Sequence, residues 1–249
     1  MIKLIIGAVA VLAIYFLICF YVAYNIWVWF KLTFSPRYKR AFITIMVFLS
    51  LNVLIERFFA SKMLAYLGGM WLIIIGYGLL LLPIINLLYF IFQKKGIRLI
   101  GGVLIAFFAF IFIYGSYLAW TPVVRTYEME VNKVSELDQL TVLLVSDLHL
   151  GKMVGRDHLE KLVDITEELD PDLILMPGDI IDDVMGPFLE HNMGEFFQKM
   201  DAPFGTYATT GNHEYYGGDI DLFIAEMTQA GVHVLEDEVL EIAESFYIV

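Results

Sequence analysis

The sequence predicts two architectures in tandem: a helical transmembrane bundle, then an α/β domain with a largely parallel sheet. Three observations predict it. Four apolar runs fill the first 120 residues, and short β-rich runs alternate with helix-length stretches after residue 140. Clusters of Asp, His and Asn stand where three of those β-rich runs end.

The membrane-length runs come first. Hydrophobic residues make up 59% of the 249, and the mean hydropathy is +0.71, whereas globular chains are about half apolar. Residues 4–30, 63–93 and 99–124 contain no Asp, Glu, Lys or Arg, and 41–55 is a shorter run of the same kind. A span needs ~20 mostly apolar residues. We therefore expect a transmembrane region over 1–120 with helices at 4–30, 41–60, 63–92 and 99–120. The second requires the Glu56-Arg57 pair to sit at the interface beside Phe58 and Phe59. The first run is too long for a cleavable signal peptide and lacks a small-residue cleavage site. No charge falls at mid-depth in any span, which argues against an ion path or a transporter and leaves an anchor. Gly68-Gly69, Gly76 and Gly78 are candidate close approaches between helices, and Pro83 is a candidate kink. Cys19, the single cysteine, reads as a small apolar filler.

Charge divides the chain at the same place. Residues 1–120 hold ten Lys or Arg and one acid, Glu56, for a net +9, and residues 121–249 carry −21. Such asymmetry implies two different solvents. The acidic half is expected to repel nucleic acid and anionic lipid. Lys31, Arg37, Lys39 and Arg40 crowd the first loop, and Lys94, Lys95 and Arg98 the third, while the second has Arg57 and Lys62. Positive short loops favour the cytoplasm, so four spans place the acidic domain outside. If the short second run does not cross, the domain lies in the cytoplasm.

Residues 121–139 read as a linker, with Val131 and Val134 as a possible edge strand. Leu140–Ser146 is a β-rich run of the kind buried on both faces. Arg156–Leu169 carries Leu159, Leu162, Val163 and Thr166 at helical spacing. Asp172–Met176 is the second strand, and Pro187–Met200 a second helix with Phe188, Leu189, Phe196 and Phe197 as its apolar face. Pro203–Thr210 is the third strand, and Asp219–Ala230 a helix ending at Gly231. Val232–Leu235 is a strand, and Ser245–Val249 begins another. In such sheets ligands lie beyond the carboxyl ends of the strands.

Those ends carry Asp147-Leu148-His149, Gly178-Asp179 and Gly211-Asn212-His213-Glu214. In extended backbone, Asp147 and His149 project the same way while Leu148 turns to the core. Asp179 follows Asp147 by 32 residues and Asn212 follows Asp179 by 33, near the ~30-residue length of one strand-helix-strand unit, so the three ends can be neighbours. Asp179 has two oxygens and is the candidate to bridge two cations, with Gly178 giving the tight turn. Asn212 offers a neutral oxygen to a hard ion. His213 is expected to point elsewhere and to donate a proton.

These residues resemble the calcineurin-like metallophosphoesterases. The likeness runs over about 140–249, through Ser146-Asp147-Leu148-His149, Gly178-Asp179-Ile180-Ile181-Asp182 and Gly211-Asn212-His213-Glu214, and the N-terminal membrane region is similar to a bacterial membrane-anchored branch. The resemblance implies a four-layer α/β/β/α sandwich with two divalent ions, of manganese, iron or zinc. It implies Asp147 and His149 on the first ion, Asp179 bridging, Asn212 on the second, and His213 as the catalytic acid. The expected activity is two-metal hydrolysis of a phosphate-ester substrate beside the lipid bilayer.

The family's further metal-binding histidines do not follow. His233 reads as structural within its apolar run, and His158 and His191 as surface or cap residues. The expectation is an incomplete, truncated sandwich with weak metal binding and little turnover. Asp182 and Asp183 are support or solvated loop acids, Glu214 caps or orients its loop, and Lys152, after Gly151, is a candidate phosphate contact. The competing reading is a non-catalytic membrane protein whose domain binds a partner or one metal ion.

Overall fold

The computed structural model describes residues 2–34, 36–59, 61–93, 95–135 and 137–249. Lys94 and the Arg57 side chain, both read above as loop charges, lie outside the described residues. The chain divides into two units, Met1–Thr121 and Pro122–Val249.

The first unit is α1 (Ile2–Thr33), α2 (Lys39–Ile55), α3 (Lys62–Ile91) and α4 (Ile97–Trp120), with 3-10 turns at Pro36–Tyr38 and Glu56–Phe58. Four helical segments, Ile2–Thr33, Pro36–Ile55, Lys62–Ile91 and Ile97–Trp120, are long and apolar enough to cross a membrane, and little of each is buried, which suits side chains that meet lipid. Cys19, Val22, Trp71, Ile75 and Leu82 form the small buried centre. Of the four glycines read as close approaches, Gly78 faces the Val22 side chain and Gly68 faces the Glu56 carboxylate, whereas Gly69 and Gly76 face open space. α3 runs unbroken through Pro83. The interior also holds polar groups that averaged hydropathy hides: buried Asn52 donates to the Leu64 carbonyl at 2.7 Å, and the Tyr15 hydroxyl to the Ser50 carbonyl at 2.7 Å.

In the second unit β1 (Val142–Leu144), β2 (Leu173–Pro177), β3 (Thr206–Thr209) and β4 (Val232–Val234) form a parallel sheet in that order. The crossovers are α5 (Arg156–Leu169), α6 (Gly186–Glu190) with α7 (Gly194–Phe197), and α8 (Asn212–Tyr216) with α9 (Ile220–Gln229). Leu159, Leu162 and Val163 of α5, Phe196 and Phe197 of α7, and Phe223 and Met227 of α9 pack on Ile174, Met176, Ala208, Val232 and Val234. Period-2 alternation puts the opposite set on the other face, where Leu144, Leu175, Tyr207 and His233 stand in register. β5 (Leu240–Ile242) and β6 (Phe246–Ile248) make an antiparallel hairpin, and Phe246 meets Phe204 edge-on.

Three expectations need correction. β1 is covered on one face only: Leu143 and Val145 pack against the core, whereas Val142 and Leu144 are 42% and 66% exposed instead of buried. The segment 122–141 holds no strand among the described residues, and Val131 and Val134 are exposed without a partner strand. The helix expected over 187–200 breaks into two because Asn192 adopts a left-handed φ of 48°, and Leu189 consequently turns outward. The strand expected to begin at Ser245 is present as β6, paired with β5.

Candidate metal centre

The site grows from the three segments that leave β1, β2 and β3. β1 ends at Leu144, yet the chain stays paired with the segment after β2. The Asp147 N–H donates to the Gly178 carbonyl at 3.3 Å, His149 to Asp179 at 3.0 Å and Leu150 to Ile180 at 2.8 Å. Asp147 and His149 are not extended, however. Their φ values are 56° and 46°, so each side chain is aimed by a local left-handed twist instead of by strand alternation. Asp179 (φ 52°) and Asp183 (φ 63°) share that conformation. For an L-residue it costs roughly 1–2 kcal/mol, and such strain gathers at functional sites when the surroundings hold it in place.

The third segment reaches the second through two glycines. Gly178 has φ 80°, and a Cβ built on it would stand 2.7 Å from the Gly211 nitrogen. A Cβ on Gly211 would in turn stand against the Asp179 carboxylate and backbone nitrogen. The two backbones can meet only because neither residue carries a side chain. The His213 N–H then donates to Asp179 Oδ1 at 3.0 Å.

These contacts bring ligand atoms of His149, Asp179 and His213 within 4.8 Å of one another. The imidazoles of His149 and His213 meet edge-on with centroids 4.4 Å apart, so His213 turns toward the cluster and not away from it. Asp147 lies at its margin, with Oδ1 4.0 Å from His149 Nε2 and with Ser146 Oγ donating to Oδ2. Asn212 opens α8 as an exposed residue. On its other side His213 presents Nδ1 to Asp183 Oδ1 at 2.8 Å and Asp182 Oδ1 at 3.9 Å, so both acids border the site. His233 lies within β4, with Nε2 2.7 Å from Glu238 Oε1, and His191 caps α6.

Two imidazoles and a carboxylate whose ligand atoms lie this close are a donor set that could hold a divalent ion. The surrounding acids make the pocket anionic, so a cation there also offsets repulsion of a phosphate group.

The residue that sequence reasoning undervalued is Glu214. It is fully buried and accepts four backbone N–H bonds, from Asp179, Ile180, Ile181 and Gly211. Its spacing three residues after Gly211 was the available signal, since a helix-start Glu reaches back to the preceding backbone.

Residues 140–244 match the family described as calcineurin-like phosphoesterase. A Danio rerio protein named transmembrane protein with metallophosphoesterase domain is 33% identical over 120 residues, 48% of this chain and 27% of that protein. Its Bos taurus namesake is 32% identical over 126 residues, 50% of this chain and 28% of that protein. An uncharacterized metallophosphoesterase of Aquifex aeolicus is 30% identical over 119 residues, 48% of this chain and 44% of that protein. The matched region thus spans about a quarter of the length of the two vertebrate relatives. No solved structure matches the chain.

Proposed function

We propose, from residues 140–244 being a calcineurin-like phosphoesterase domain of the metal-dependent kind, that this chain carries a membrane-anchored site for hydrolysing phosphate esters. The observation that carries the reading is the convergence of His149, Asp179 and His213 within 4.8 Å. His149 and Asp179, with Asp147 beside them, would hold one ion, and Asp179 with Asn212 a second. Bound divalent ions polarise phosphoryl oxygens and supply a nucleophile at neutral pH. Asp183 Oδ1 stands 2.8 Å from His213 Nδ1, which supports His213 as the residue that would exchange a proton with the leaving oxygen. The four apolar helices support attachment of the domain to the bilayer, and the loop charges favour its extracytoplasmic side.

The test is a manganese titration of the chelator-treated full chain in detergent, followed by calorimetry. Saturable binding that is lost in Asp179→Asn and His149→Ala is expected. Equal heats from wild type and both variants would remove the proposal. A single-ion, non-catalytic role is the second reading, favoured because the two compact three-donor groups among the described residues, one of His149, Asp179 and His213 and the other of Asp182, Asp183 and His213, share His213. One bound equivalent with no manganese-dependent hydrolysis of an aryl phosphate would select it.

A further inference from the structure

We infer that Glu214 is the positioning residue of the metal centre: its buried carboxylate fills a nest of backbone amides and so holds Asp179 in the conformation that presents its side chain to His149 and His213. The inference rests on the metal-binding reading above and adds a part to it.

Oε1 accepts from the Ile180 N–H at 2.8 Å and the Ile181 N–H at 3.0 Å. Oε2 accepts from Asp179 at 3.0 Å and Gly211 at 2.7 Å. A carboxylate has about four lone-pair sites, and four donors fill them. Three of these donors are consecutive. Gly178 and Asp179 are both left-handed, at φ 80° and 52°, and such backbone turns successive amides inward to form an anion-binding concavity. Left to itself, an L-aspartate would leave this conformation. The protein supplies the anion from its own chain, one residue beyond His213.

The grip is reciprocal. Glu214 holds the Asp179 backbone, while Asp179 Oδ1 accepts from the N–H of His213, next to Glu214. Two segments about 35 residues apart in sequence are thereby locked at the point where their ligand atoms must meet. A fully buried carboxylate is costly unless every lone pair is used. A helix cap alone would need only the Gly211 contact, and the other three bonds serve the Asp179 segment. Glu214 touches no proposed ion, so it acts through Asp179.

The experiment uses the full chain in detergent with manganese as the probe. Glu214→Gln keeps the size but replaces one acceptor with a donor. Glu214→Asp keeps the charge but shortens the reach. Phe223→Leu serves as a fold-only control in the core. Manganese affinity and the electron-resonance line shape of the bound ion are read beside metal-free unfolding midpoints. We expect Glu214→Gln to bind manganese about 10- to 100-fold more weakly with an altered line shape, while Phe223→Leu changes the midpoint and leaves both metal readouts as in wild type. If Glu214→Gln does not fold, Glu214→Asp gives the answer by the same readouts. A folded Glu214 variant with wild-type affinity and line shape overturns this inference and leaves the metal site standing. Wild type that binds no manganese overturns the site itself.

Discussion

Gly211→Ala tests how closely the second and third site segments must approach. The new Cβ would stand 2.2 Å from Asp179 Oδ1 and 2.6 Å from the Asp179 nitrogen. Ordinary contacts of a carbon atom lie near about 3.5 Å, so the segments must part by roughly 1 Å. Neither neighbour is the loose end of a flexible side chain: one is backbone, and the other carboxylate also bonds His213. Overpacking of this kind costs about 1–3 kcal/mol. At about 4 °C per kcal/mol for a unit of this size, the midpoint should fall by roughly 4–12 °C. The same displacement separates Asp179 from the two imidazoles, so manganese binding should weaken by about tenfold or more. The assay is thermal unfolding by near-ultraviolet circular dichroism, with and without manganese. Gly186→Ala is the control, because nothing lies within 4 Å of its Cβ position. Should Gly211→Ala unfold at the wild-type temperature and keep its affinity, the claim of an obligatory backbone approach is wrong.

Three further outcomes are expected. Phe223 is fully buried against the sheet, so Phe223→Ala should lose about 3–5 kcal/mol in urea unfolding, and a loss below about 1 kcal/mol would contradict the packing. The Glu241 carboxylate accepts from the Tyr247 hydroxyl at 3.0 Å and raises that phenol above its ordinary 10.0. The small stabilisation is therefore present below pH 10 and lost as pH rises through the raised value. An ultraviolet difference titration against Tyr247→Phe checks the direction. For sidedness, Val131→Cys in the exposed segment before β1 should react with an impermeant maleimide on intact cells, while buried Cys19 stays silent. Labelling only after permeabilisation would place the domain inside.

Much of this was legible because the signals were local and periodic. The α5 residues Leu159, Leu162, Val163 and Thr166 repeat with the helix, and all four are buried on the core side. The three clusters repeat at the length of a crossover unit, which located the segments that meet. Other features had no local signal. A three-residue apolar strand reads alike whether one of its faces or both are covered, so the exposure of Val142 and Leu144 could not be read. The β5–β6 turn puts Ala243 and Glu244 at φ 51° and 50°, where a sequence reader looks for Gly or Asn. The break at Asn192 was more readable, because Asn192 and Gly194 both sit within the expected helix. The left-handed backbone of Asp147, His149 and Asp179 is imposed by neighbours far along the chain, and only tertiary structure reveals it.

The one-sided sheet has a practical consequence in solution. Helices cover one face, while Val142 and Leu144 stand bare on the other, in a unit whose charge is −21. Mutual repulsion is then the force that keeps copies of this unit from sticking through their greasy sides. That repulsion reaches only about 10 Å in 0.1 M salt, so brine should drive clumping that dilution into low-ionic-strength buffer reverses.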